Sequence, residues 1–129
     1  MERILTAIMF TDIVGYSKIM STNEKIGLEL LDSQSELVLP IIKNFNGKIL
    51  KKMGDALFVD FSSSINAIEC SVEIQKALKD YNFSKDSEKK LLLRSGLHIG
   101  DVVIKEDDLF GEGINVAARL EPLAEPGGI

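Results

Sequence analysis

The sequence predicts an α+β domain: a ferredoxin-like or palm-like mixed sheet with helices packed on one face. Two observations carry that expectation. Short apolar runs alternate with stretches of helical periodicity, and those stretches are separated by paired runs that read as hairpins. The resulting order is strand, helix, strand, strand, helix, strand, strand, helix, which is the split β-α-β arrangement. The 129 residues fit one domain, 1–129, and 45% hydrophobic residues are enough for a core.

Each element has its own signal. Residues 3–11 are apolar apart from Thr6 and Thr11 and read as a buried strand, and Gly15 breaks the pattern. Over residues 23–45, Ile26, Leu30, Leu31, Leu37, Val38, Ile41, Ile42 and Phe45 recur in steps of three and four, a long amphipathic helix. Ser21, Thr22 and Asn23 can cap it. Pro40 is expected to kink or divide it near residue 39, and Asn46-Gly47 to end it. Residues 48–61 read as two strands around Met53-Gly54-Asp55. Ser62, Ser63 and Ser64 precede a helix whose stripe is Ala67, Cys70, Ile74, Ala77, Leu78 and Tyr81. Residues 82–90 are a polar loop. Residues 91–104 read as a strand pair broken at Gly100-Asp101, residues 105–111 as an acidic loop, and 112–120 as a short helix stopped by Pro122. The closing Glu125-Pro126-Gly127-Gly128-Ile129 reads as a turn into a new element, so a further C-terminal strand and helices are expected beyond it.

Charge and composition exclude several functions. A net charge of −5 disfavours a nucleic-acid surface. The single cysteine, Cys70, permits no internal disulfide and suits a reducing compartment, so a cytoplasmic location is expected. No signal peptide is expected, and no apolar run comes near the roughly 20 residues of a membrane span.

Several polar residues could carry chemistry. Asp12 and Asp55 each sit at the end of an apolar run, where two carboxylates suit an oxygen-ligated divalent cation. Lys51 lies four residues before Asp55. Asn115 and Arg119, at i and i+4, share one helix face, and Arg offers a rigid fork of donors to phosphate. Taken singly, these also fit a polar hairpin tip and a solvent-facing pair. His98 reads as a structural strand residue and Cys70 as core.

Together, Phe10-Thr11-Asp12-Ile13-Val14-Gly15-Tyr16-Ser17, Lys51-Lys52-Met53-Gly54-Asp55 and Asp108-Leu109-Phe110-Gly111-Glu112-Gly113-Ile114-Asn115-Val116-Ala117-Ala118-Arg119 resemble the class III adenylate/guanylate cyclase catalytic domain of bacterial type, over about residues 4–129. The resemblance implies roles for individual residues. Asp12 and Asp55, with the carbonyl of Ile13, would bind two Mg²⁺ or Mn²⁺ ions. Gly15, Tyr16 and Ser17 would contact the triphosphate. Lys51 and Asp108 would read adenine, Asn115 would orient the ribose, and Arg119 would stabilise the pentavalent phosphate. It also implies a homodimer with shared active sites, metal ligands coming from one subunit and Arg119 from the other. Regulatory domains are usually fused to such a domain.

The expected activity is conversion of ATP to 3′,5′-cyclic AMP and pyrophosphate. Lys51 can donate to N1 of adenine and Asp108 can accept from its amine, whereas guanine reverses both demands. The alternative is a cyclase-like dimerisation or nucleotide-sensing module without turnover, against which intact Asp12, Asp55 and Arg119 argue. A diguanylate cyclase is disfavoured, because the central hairpin lacks a Gly-Gly-Asp/Glu-Glu-Phe signature. Without its C-terminal part, the domain is expected to fold but turn over poorly.

Overall fold

Strand β1 (Glu2–Ile13) forms the centre of the sheet, because its residues are apolar toward both faces. The computed structural model describes residues 2–105 and 108–129, leaving out the side chains of Glu2, Ile4, Ile104, Asp108, Leu109 and Phe110. After β1 come α1 (Tyr16–Thr22), α2 (Glu24–Asn44), β2 (Lys48–Met53), β3 (Ala56–Phe61), α3 (Ser64–Asn82), β4 (Leu93–Lys105), β5 (Asp108–Phe110) and α4 (Glu112–Leu120). The strand order is β2-β3-β1-β4-β5, and every described pairing is antiparallel. β1 and β2 therefore run parallel with β3 between them, the expected split β-α-β arrangement of an α+β fold.

The alternation along β1 divides the molecule into two layers. Ala7, Met9 and Ile13 share a face with Leu57, Val59 and Phe61, and α2 and α3 cover it with Leu30, Val38, Ile42, Ala67, Cys70, Ile74 and Leu78. Ile8 and Phe58 point the other way, toward Val102 of β4 and Ala117 of α4. The two long helices share one face as expected, and α4 is the exception. Its apolar stripe is narrow, and small residues let it lie directly on β4.

That close approach also corrects the reading of residues 91–104. Gly100-Asp101 is no turn: β4 runs unbroken through it, paired with β1 from Leu93 to Ile104. A Cβ at Gly100 would stand 3.0 Å from the Cα of Gly113, so the glycine makes room for the helix rather than for a bend. The acidic loop expected over 105–111 holds the short strand β5.

Local chemistry sets most other boundaries. The Asn23 side chain accepts from the Ile26 N–H and starts α2, while Asn46, at φ +60°, follows its end. Pro40 does not divide α2, which runs through it to Asn44. Ser63 caps α3 through the Asn66 N–H. The stretch from Tyr16 to Thr22, where the sequence predicts no element, forms α1. No described helix is long and apolar enough to cross a membrane.

Candidate active site

The β2–β3 turn is two residues long, and Gly54 occupies it at φ +59°, a conformation costly for any residue with a side chain. Asp55 follows, half-buried at the end of the sheet where β1 stops. Its Oδ2 accepts a 2.8 Å hydrogen bond from the N–H of Ile13. That bond joins the two chain segments that the sequence singles out, and it sets Asp55 beside Asp12. Desolvation raises the Asp55 carboxyl above its ordinary 3.8; bonds from the Ile13 and Asp55 N–H oppose this, and the Asp12 charge adds to it.

A third carboxylate, missed in the sequence, completes the cluster. Glu121 follows α4 and is 3% exposed. Burial, a hydrogen bond with Asp12 and the Asp12 charge push it from 4.5 up to about 8, with Asp55 adding and Arg94 opposing. Arg94 lies directly across from Asp12 on β4. Glu121 Oε1 and Arg94 Nε are both buried without a hydrogen-bond partner. Their shared location beside Asp12 is notable, because buried polar atoms are nearly always paired. The signal for Glu121 was its spacing: Gly113, Ala117 and Glu121 are buried at steps of four along one face.

These carboxyls set the pH response of the metal-free protein. Glu121, Asp55 and Asp60, the last raised chiefly by burial, all hold protons more tightly folded than unfolded. The stability they contribute is present below about pH 4 and is lost as pH rises through the raised values, up to about 8 for Glu121. For Glu121 the loss is on the order of a few kcal/mol, since each pKa unit is about 1.4 kcal/mol. Melting temperatures in chelator should therefore fall between pH 5 and 8, and the fall should be shallower in Glu121→Gln. Parallel curves for the two proteins would contradict this.

The donors near Asp12 and Asp55 are anionic oxygens, the type a hard divalent cation takes. The raised Asp55 and the orphaned Glu121 oxygen show a negative environment that a cation would relieve. The residues fit such an ion, although no group of three or more His, Cys, Asp or Glu among the described residues has an arrangement ready to hold one.

The other expected residues are placed as follows. Gly15, at φ +70°, turns the chain into α1, with Tyr16 partly buried against the main core and Ser17 exposed. Lys51 is half-buried on β2, opposite Phe58 and on the α4 side of the sheet. Asp108 lies on β5 opposite Lys105, and its side chain lies outside the described residues. Although β5 is at the far edge, it also approaches β2. Asn115 and Arg119 are exposed on α4, turned away from the buried Gly113 and Ala117. The structure thus gathers Asp12, Ile13 and Asp55, with Glu121 and Arg94, while Asn115 and Arg119 face outward. His98 is half-buried on β4 opposite Ile8, and Cys70 is buried with its thiol pushed up to about 12.

Comparison with known proteins places the chain in a family. The adenylate and guanylate cyclase catalytic domain family matches residues 4–129. A Rhizobium meliloti (strain 1021) protein provisionally named adenylate cyclase 3 is 40% identical over 129 residues, 99% of this chain and 22% of its own length. The serine/threonine-protein kinase pkn2 of Myxococcus xanthus is 31% identical over 93% of this chain and 15% of its own. The chain therefore spans about a fifth or less of these relatives. A crystal structure of an adenylate/guanylate cyclase/hydrolase from Silicibacter pomeroyi superposes with a TM-score of 0.88 at 38% identity, covering 98% of this chain and 74% of that one. A bacterial light-regulated adenylyl cyclase, at 24% identity and TM-score 0.82 over 95% of this chain and 71% of its own, shares the fold. The chain belongs to the adenylate and guanylate cyclase catalytic-domain family.

Proposed function

We propose that the protein converts ATP to 3′,5′-cyclic AMP and pyrophosphate at an active site shared between two copies. The observation that carries this reading is the Ile13–Asp55 hydrogen bond, which holds the two aspartates of the family motif together at one end of the sheet. Asp12, Asp55 and the Ile13 carbonyl would hold two Mg²⁺ or Mn²⁺ ions. When bound, such ions lower the pKa of an attacking hydroxyl and neutralise a leaving phosphate.

The chain's own groups do the rest. The ribose 3′-oxygen forms a bond to the α-phosphorus, its proton passes to solvent water, and the bond from the α-phosphorus to the bridging oxygen breaks, that oxygen leaving with pyrophosphate. Arg119 donates to the phosphoryl oxygens on which charge develops, and Asn115 orients the ribose. Both face outward on α4, which supports their serving a site completed by a second copy. Gly15, Tyr16 and Ser17, three to five residues after Asp12 at the start of α1, would contact the triphosphate, as the family resemblance implies. Sedimentation of the active protein should show a dimer, and full turnover by a monomer would overturn the shared site.

The preference for adenine rests on Lys51 and Asp108. Facing guanine, each would leave buried groups mispaired, at about 1–3 kcal/mol per position. The test is a cyclase assay with ATP and GTP, each with Mg²⁺ and Mn²⁺. ATP should be turned over at least roughly tenfold faster. Equal rates with both nucleotides would refute the base-reading assignment, and no cyclic product under any condition would refute the activity.

A further inference from the structure

Gln34 is a polar residue in an apolar row. Leu30, Gln34, Val38 and Ile42 follow one another at steps of four along α2, and all four are buried. Gln34 is only 2% exposed. A leucine or methionine would fill the same space without burying an amide, which costs about 1–3 kcal/mol when unpaired. The amide is paired: its Nε2 donates to the backbone carbonyl of Asp55 at 3.1 Å. A carbonyl only accepts, so the NH₂ end must face it.

The bond reaches a turn that packing leaves open. A Cβ at Gly54 would meet nothing within 4 Å, so the tip of the β2–β3 hairpin has little around it to fix its position. Asp55 is instead held at two points, its carbonyl by Gln34 and its carboxylate by the Ile13 N–H. The first bond fixes the backbone from which the carboxylate extends. The second can form only when that backbone is correctly placed.

We propose that Gln34 is a positioning residue for the cation-binding carboxylate of Asp55, tying the hairpin tip to α2 so that Asp55 stays beside Asp12. This inference rests on the reading of Asp55 as a cation ligand. Partners that orient metal ligands change metal affinity by roughly 10–100-fold when removed. Gln34 acts one step further back, through the main chain, so the low end of that range applies.

The experiment compares wild type, Gln34→Met and Asp55→Asn, with Gln34→Leu in reserve should the methionine variant fail to fold. Mn²⁺ binding is followed by the electron paramagnetic resonance of the free ion, and hydrogen exchange by NMR. Gln34→Met keeps the core volume, so it should melt near wild type. It should bind Mn²⁺ about tenfold more weakly. The Ile13 N–H should exchange faster while that of Met9, deep in β1, does not change. Turnover should return toward wild type at saturating Mn²⁺, so that the metal requirement rises more than kcat falls. A merely structural role would lower the melting temperature and leave Mn²⁺ affinity alone. Wild-type Mn²⁺ affinity in Gln34→Met, with binding lost in Asp55→Asn, overturns the role of Gln34 by itself. Wild-type affinity in Asp55→Asn overturns the ligand reading, and the inference about Gln34 with it.

Discussion

Asp12→Asn is expected to lower cyclase turnover by at least roughly a hundredfold while raising the melting temperature of the metal-free protein. The two effects have one cause. Asp12, Asp55 and the buried Glu121 crowd three carboxyls at the end of the sheet, and the Asp12 charge raises both of the others. Asparagine keeps the shape and removes the charge, which relieves that repulsion. It also removes a proposed ligand of a cation whose charge stabilisation is worth several kcal/mol in such sites, and about 1.4 kcal/mol is a tenfold change in rate. Functional sites commonly hold residues that cost stability. The measurements are initial rates with saturating Mn²⁺ and melting curves at pH 8 in chelator. Turnover within a few-fold of wild type would remove Asp12 from the mechanism.

Gly96→Ala is expected to be the most damaging small substitution away from the site. Gly96 lies on β4 opposite Phe10, beneath the end of α4. A Cβ there would stand 2.6 Å from the N of Glu121, 2.9 Å from the O of Ala117 and 3.0 Å from the Cα of Glu121. All three are backbone atoms, so no side chain can swing aside and the helix end itself must lift. Overpacking of this kind costs about 1–3 kcal/mol. For a chain of this size the loss should lower the melting temperature by roughly 4–11 °C. Turnover should fall as well, because the same movement displaces Glu121 from Asp12 and shifts Arg119. Calorimetry and the cyclase assay test this, and a melting temperature within a degree or two of wild type would contradict it.

Most of the fold could be read from periodicity and caps. The step pattern of α2, the Ser63 cap of α3 and the Gly54-Asp55 turn are local signals, and the structure follows them. Where the reading departed from the structure, a glycine or a polar residue was answering to a distant neighbour. Gly100 looks like a turn in one dimension and is a contact surface for Gly113 in three. α1 was missed because its seven residues, rich in serine and threonine, carry little helical signal of their own.

The site divides in the same way. The sequence alone determined which side chains are available: Asp12, Asp55, Lys51, Asn115 and Arg119, in an order and spacing that mark the family. It determined the helical sharing of a face by Asn115 and Arg119, because that follows from a repeat of 3.6 residues. Only the tertiary structure showed that the Ile13 N–H grips Asp55, that Gln34 holds the hairpin tip, and that Glu121 lies buried against Asp12. Those relations join residues 21 to more than 100 positions apart. Local propensity carries no information about such pairs. They exist because the antiparallel sheet brings the end of β1, the β2–β3 turn and the end of α4 to one end of the sheet, where burial makes each polar group depend on the others.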